Sequence, residues 1–222
     1  MMSTHSSSAV PRLASRPSAD TAMPVRCAWA RRAPDIAYHD TEWGVPLHGD
    51  QGLFEFLILE GAQAGLSWST ILDRRENYRR AFNAFRPEEV ARYTDTDVAR
   101  LLGDAGIVRN RLKVASAISN ARAFIDVQSR WGSFDRFLWS RVDGTPIQGG
   151  WQSPAEVPVH TPLAVELSRE LRALGFRFVG PTIVYAFMQA TGVVNDHLTD
   201  CFRCAALGGS SQHQPPRREA LQ

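Results

Sequence analysis

Lysine is almost missing from this chain. Lys113 is the only one among 25 basic residues, and 23 acids leave a formal net charge of +2. Both ends lean basic, through Arg12, Arg16 and Arg26 at one and Arg217 and Arg218 at the other. Residues 27–206 carry 20 bases against 21 acids. Bulk charge therefore gives no argument for nucleic acid, and a basic footprint has to come from local clustering. Cysteine is scarce too, limited to Cys27, Cys201 and Cys204. An odd, low count without a secretion signal argues against a disulfide framework. No apolar run approaches the ~20 residues that a membrane helix needs. The strongest, residues 54–59, already contains Glu55 and runs into Glu60. The N-terminus offers Ser, Ala, Pro and Arg but no apolar signal-peptide core. The expectation is a cytoplasmic protein with no membrane partner, a monomer by default. Strand signals are nearly absent, and no internal repeat is visible.

What remains is an ordinary globular composition, 44% hydrophobic and 22% charged over 222 residues. Residues 1–25 and 207–222 are poor in large apolar side chains and are expected to be disordered tails. One domain is expected over residues 26–206. It reads as helices. Apolar residues recur at helical spacing in 52–64 and 67–85, with Ser67 as an N-cap. Pro87-Glu88-Glu89 opens a short helix, because proline fits a first turn and acids suit its positive end. Further helices are expected over 95–102, capped by Asp95, and over 110–127, with Leu112, Ala115, Ile118 and Ala121 on one inward stripe. Segments 133–139, 162–174 and 181–191 complete the set. Residues 142–160 hold repeated Gly and Pro and read as a long loop. The fold class is all-α.

His197 and Cys201 stand four apart, which puts both on one face of a helix or tight turn. Cys27 and His39 lie near the other end of the folded region. Two thiols and two imidazoles suit Zn²⁺ in a closed tetrahedral site, which would be structural because no position stays open. The competing reading is buried cysteines acting as small hydrophobes beside ordinary histidines. Cys204 competes with Cys201 for the ligand role.

Two corners between helices stand out. Gly175 suits a helix C-terminus and Gly180-Pro181-Thr182 the next N-terminus. Such a turn exposes backbone N–H groups able to hold a phosphate, although a plain helical corner looks the same in sequence. Leu102-Gly103-Asp104-Ala105-Gly106-Ile107 forms the second corner, followed by Arg109, Arg111 and Lys113. Elsewhere Tyr38, Trp43 and Trp68 flank the stretch that begins at Glu60. Aromatic faces beside a partly buried carboxylate suit a planar, electron-poor ring with N–H donors, such as an alkylated purine. Core packing for the rings and a salt bridge for Glu60 are the plainer alternatives.

The motifs Arg26-Cys27-Ala28-Trp29, Ile36-Ala37-Tyr38-His39-Asp40-Thr41-Glu42-Trp43-Gly44-Val45-Pro46 and Leu59-Glu60-Gly61 come first. Gln63-Ala64-Gly65-Leu66-Ser67-Trp68, Arg75-Glu76-Asn77-Tyr78 and Asp104-Ala105-Gly106-Ile107 follow. Asn120-Ala121-Arg122-Ala123, Gly175-Phe176-Arg177-Phe178-Val179-Gly180 and Asn195-Asp196-His197 end the series. In this order, over about residues 26–204, the chain resembles the type I 3-methyladenine-DNA glycosylases of bacteria. These belong to the helix-hairpin-helix glycosylase superfamily. The resemblance implies a helix-hairpin-helix domain with a structural zinc on Cys27, His39, His197 and Cys201. It implies Glu60 as the base-recognising catalytic carboxylate, with Tyr38, Trp43 and Trp68 in the pocket. Gln63 and Leu66 would fill the gap left by an extruded nucleotide. Gly175, Phe176 and Gly180 would grip the backbone of double-stranded DNA containing alkylated adenine. Two departures are visible: the 27–39 loop is slightly short, and Asp35 stands where some members carry a second pocket tyrosine.

Many helix-hairpin-helix glycosylases keep an aspartate after the hairpin, at a position that Asn195 takes in Val194-Asn195-Asp196-His197. N3-methyladenine is cationic and leaves as a neutral base, so protonation of the leaving group is unnecessary. A lyase step needs an amine, usually lysine. Thr182 and Ile183 follow the hairpin, so a monofunctional hydrolase is expected.

Overall fold

A computed structural model of the protein describes residues 23–209. The expected tails therefore fall largely outside the described residues. Eleven α-helices are described. They are α1 Ala33–Thr41, α2 Asp50–Gln63, α3 Trp68–Leu72, α4 Arg75–Ala81, α5 Pro87–Val90, α6 Asp95–Gly103, α7 Arg111–Trp131, α8 Phe134–Trp139, α9 Pro162–Ala173, α10 Pro181–Ala190 and α11 Phe202–Ala206. Two two-residue strands, β1 Ile147–Gln148 and β2 Val194–Asn195, pair in parallel. The long loop thus carries a strand that alternation over so few residues could not announce.

Helix α2 is the axis of the domain. Leu53 to Ala62 are all buried, and α3, α7, α8 and α10 pack around it. A helix apolar on every side belongs inside the protein, which explains the run 54–59. Phe54, Phe124, Phe134 and Phe187 fill the space between α2, α7, α8 and α10; the rings of Phe124 and Phe134 stack at 4.3 Å.

Caps explain several boundaries. Ser67 accepts from the Thr70 amide at 3.2 Å and Ser133 from the Arg136 amide at 2.9 Å. Asn110 Oδ1 accepts from the amides of Leu112 and Lys113. The expected helix 67–85 is instead α3, α4 and a 3₁₀ turn at Asn83–Phe85, whose residues all have positive φ. At α6 the cap is Thr94, reciprocally bonded with Asp97, rather than Asp95. The inward stripe of α7 also differs from expectation. Leu112 is 69% exposed and Ala115 is exposed, while Val114, Ala117, Ile118, Ala121 and Phe124 face the core.

Between α9 and α10 the chain turns at Gly175, φ 95°. The Phe176 amide donates to Leu171 O and the Gly175 amide to Arg172 O, each at 3.0 Å, a Schellman closure that favours glycine. At the far end of α10, Gly192 has φ 70°, and a Cβ there would overlap the Val45–Pro46 backbone. This close approach lays the segment after α1 against α10. It brings Trp43 beside His197, ring centroids 4.6 Å apart.

Candidate active site

Helix α2 buries two carboxylates, and the fold treats them in opposite ways. Glu55 accepts from Arg75 Nε at 2.6 Å and is bridged by Arg79 Nη2 at 2.8 Å. Arg75 also reaches Glu42 at 2.7 Å and lies over the Phe56 ring. Glu60 is 4% exposed, takes part in no ion pair, and its Oε2 has no hydrogen-bond partner. Burial alone raises its carboxyl to about 8. The salt bridge expected as the plain alternative for Glu60 is absent among the described residues; Glu55 has it instead. A buried carboxylate without a partner is costly and wants a ligand or a proton.

Glu60 lines a cavity of about 710 Å³ together with Tyr38, Trp43, Gln63 and Trp68. That lies within the ~300–1,000 Å³ usual for ligand pockets. Two more unpartnered buried atoms belong to the same wall, Tyr38 Oη and Trp68 Nε1. Tyr38 and Trp68 have ring centroids 5.2 Å apart, and Phe56 stacks behind Trp68 at 6.4 Å. Burial, and next the proximity of Glu60, push the Tyr38 phenol well above its usual range, so it stays a neutral donor. The wall therefore offers a carboxylate, a phenol and an indole N–H with nothing yet bonded to them.

Four ligand atoms gather where the first and last described segments meet. Cys27, His39, His197 and Cys201 are all buried, and their ligand atoms lie within 4.8 Å of one another. Cys27 Sγ stands 3.7 Å and Cys201 Sγ 3.5 Å from His197 Nδ1, and Cys201 Sγ stands 3.4 Å from His39 Nε2. Tetrahedral zinc, with bonds of about 2.3 Å to sulfur and about 2.0–2.1 Å to nitrogen, requires S···N edges of about 3.6 Å. The residues fit such an ion. The remaining imidazole nitrogens are committed elsewhere: His39 Nδ1–H donates to Asp40 at 2.8 Å and His197 Nε2–H to Trp43 O at 2.9 Å. Arg26 holds Asp40 in turn through Nε and Nη2. This is the outer support a metal-binding histidine needs. Burial pushes the Cys27 thiol up to about 12 and the His197 imidazole down to about 4, so a nearby cation is what would create the thiolate. His197 and Cys201 share a tight turn, closed by the Cys201 amide donating to Leu198 O at 2.8 Å. Cys204 is buried outside the group.

Of the other expected contact residues, Gln63 lines the cavity, and Leu66, Gly175, Phe176 and Gly180 do not. Gln63 ends α2, Gly65 turns with φ 79°, and Leu66 is 41% exposed. Lys113 Nζ donates to Ala62 O and Ala64 O at 2.7 Å each, tying α7 to the root of this loop. It thereby leaves the basic cluster expected beside Arg109 and Arg111, which are both exposed. Gly175 is exposed and Gly180 half-buried, while the Phe176 ring is buried against Phe134. Phe176 thus offers a partner neither its ring nor its amide, which donates to Leu171 O.

The chain between residues 29 and 204 matches the family model for methyladenine glycosylase. It belongs to that family. It is 48% identical over 177 residues to DNA-3-methyladenine glycosylase 1 of Escherichia coli K12, covering 79% of this chain and 95% of the relative. A crystal structure of 3-methyladenine DNA glycosylase I superposes with a TM-score of 0.78 at 49% identity, covering 80% of this chain and 98% of that one. A structure of the Staphylococcus aureus 3-methyladenine DNA glycosylase I, described for its 3-methyladenine recognition, superposes at 0.77 with 38% identity, covering 79% and 94%.

Within this methyladenine glycosylase framework, several site residues escaped the sequence reading. Asp196, Gln189 and Trp29 line the cavity. Asp40 supports a candidate ligand, and its adjacency to His39 was the only available signal. Asp35, at the departure from the family pattern, is buried with Oδ1 unpaired and lies 3.7 Å from Arg32; it is not part of the cavity wall. No helix among the described residues is long and apolar enough to cross a membrane.

Proposed function

We propose that this protein excises 3-methyladenine from alkylated double-stranded DNA, flipping the nucleotide out and hydrolysing its glycosidic bond without a lyase step. The observation that carries this reading is Glu60: a buried carboxylate without a partner, in a cavity walled by Tyr38 and Trp68. In the empty cavity at neutral pH the carboxyl holds its proton, given a value of about 8. A cationic base entering beside it favours the carboxylate and displaces that proton. The carboxylate then accepts the exocyclic N–H of the methylated base, and the charge strengthens the bond roughly twofold over a neutral one. Ordinary adenine brings no positive charge and does not repay ionising Glu60. The aromatic rings supply a face for the flipped base, and extraction rather than leaving-group protonation is the enzyme's task.

Gln63 and Leu66 occupy the gap in the duplex. The backbone of the Gly175–Gly180 turn takes the phosphates as a helix-hairpin-helix does, next to the positive end of α10. Zinc on Cys27, His39, His197 and Cys201 supplies folding energy rather than chemistry, since four protein ligands close the site. The lyase-free reading rests on Lys113, the only lysine, whose ammonium is committed to two carbonyls. Chromatography of bases released from methylated DNA tests the activity. Wild type should release 3-methyladenine and Glu60→Ala little or none; release by neither protein would overturn the reading. Trapping a covalent protein–DNA adduct with borohydride would overturn the lyase-free part.

A further inference from the structure

Asp196 is a second carboxylate in the wall of the same cavity. It is 2% exposed and flanked by donors. Trp151 Nε1–H donates to Oδ1 at 2.8 Å, Gln189 Nε2–H to Oδ2 at 2.7 Å, and the Tyr185 hydroxyl to Oδ2 at 2.5 Å. Burial, and next the charge of Asp196, hold the Tyr185 phenol far above its ordinary range, which fixes it as a donor. Three donors, with no cationic partner among the described residues, form a cradle for an anion. The backbone leaves little freedom here, because a Cβ on Gly149 would collide with Asp196 Oδ1 and the Trp151 indole.

The chemistry asks for a second anion. In the substrate the positive charge sits on the methylated base. As the C1′–N9 bond breaks, its electron pair goes to the base, which leaves neutral, and the charge moves to the deoxyribose C1′ and O4′. Water then forms the new C1′–O bond and loses a proton to solvent. Glu60 interacts with charge that is present before the reaction and fades during it. Only an interaction that strengthens in the transition state accelerates the step. We propose that Asp196 is that interaction: a fixed anion of the cavity that stabilises the positive charge passing to the sugar. This rests on the glycosylase reading above.

The alternative role is a clasp holding the 149–157 loop to α10. Two variants separate the roles. Asp196→Asn can keep all three contacts, with Oδ1 accepting from Trp151 and Nδ2 donating to Tyr185 and a flipped Gln189, yet it lacks the charge. Trp151→Phe breaks the clasp and keeps the charge. At equal metal content, single-turnover excision from methylated duplex DNA should fall about 10²-fold in Asp196→Asn, the scale for losing one electrostatic group. Its affinity for free 3-methyladenine, which is neutral, should stay unchanged, and Trp151→Phe should be the faster variant. A wild-type rate in Asp196→Asn, a parallel loss of base affinity, or an equal loss in Trp151→Phe would overturn the proposal. Wild type gives an independent readout if Asp196→Asn does not fold. It should bind duplex DNA bearing a cationic pyrrolidine abasic analogue at least about tenfold tighter than the neutral tetrahydrofuran analogue, a difference of about 1.4 kcal/mol, and Glu60→Gln should retain the preference. Equal binding would overturn the proposal. Failure of wild type to release any base would instead sink the activity it rests on.

Discussion

Asn120 and Arg177 exchange two hydrogen bonds across 57 positions of sequence. Asn120 Nδ2 donates to Arg177 O at 2.9 Å, and the Arg177 amide donates to Asn120 Oδ1 at 2.7 Å. The pair pins the longest helix to the turn between α9 and α10. Asn120→Ala leaves two backbone groups of the turn without partners, at a cost of about 1–3 kcal/mol. The expected outcome is a lower melting temperature and weaker binding of abasic duplex DNA, with affinity for free 3-methyladenine unchanged. Thermal melts, DNA anisotropy and base titration check it; loss of base affinity to the same degree would show that the turn does not act on DNA separately.

Glu60 should make the folded state less stable as pH rises. Its carboxyl stands at about 8 in the native state against an ordinary 4.5. Between those values the folded protein holds a proton that the unfolded chain has released, so unfolding free energy falls with rising pH. Glu60→Gln mimics the protonated side chain. The variant should melt close to wild type near pH 4.5 and above it at pH 8.5. Parallel melting curves across that range would mean that Glu60 is not charged at high cost in the empty cavity.

The same group sets an expectation for turnover. The profile of kcat/KM reports the free enzyme. It should rise with pH through a midpoint near 8 to a plateau above it, because binding the cationic base requires the carboxylate. The profile of kcat should turn over at lower pH, since the bound cation favours ionised Glu60. In Glu60→Gln both profiles should lose this limb. A wild-type kcat/KM flat between pH 6 and 8 would contradict the role given to that proton.

Asp40 should govern metal affinity from outside the ligand set. Its bond to Arg26 holds the carboxyl below the usual range, so it accepts from His39 throughout the neutral region. Asp40→Ala frees the His39 ring, and outer-shell losses of this kind weaken binding about 10–100-fold. Competition with a zinc-specific chelator, followed by the colour of the released complex, measures this. An unchanged zinc affinity would mean that His39 is oriented by packing alone.

Much of the helical frame was legible, because its signals are local. Ser67, Ser133, Pro162 and Pro181 mark starts that the structure keeps within a residue. Residue type and spacing also mark the candidate ligands, with Cys204 a rival to Cys201 that only the family resemblance removes. Other features depend on tertiary contacts. Helix α1 shows no apolar period; what it buries is Asp35, Tyr38 and His39, a pattern set by the site it faces. The inward stripe of α7 is ambiguous in sequence because Ile118 and Ala121 fit two neighbouring faces equally well, one carrying Leu112 and the other Val114 and Phe124. The break after Leu72 has no Gly or Pro to announce it. Nothing in one sequence tells which of the adjacent polar residues Asn195, Asp196 and His197 turns toward a cavity.

Cys27 and His197 lie 170 positions apart, with the helical domain strung between them. Cys27 and His39 leave the ribosome long before His197 and Cys201, so the cluster of four can assemble only once nearly all of the described chain has been made. A product that stops short of Cys201 is left with an unfastened collar, whatever the quality of its interior.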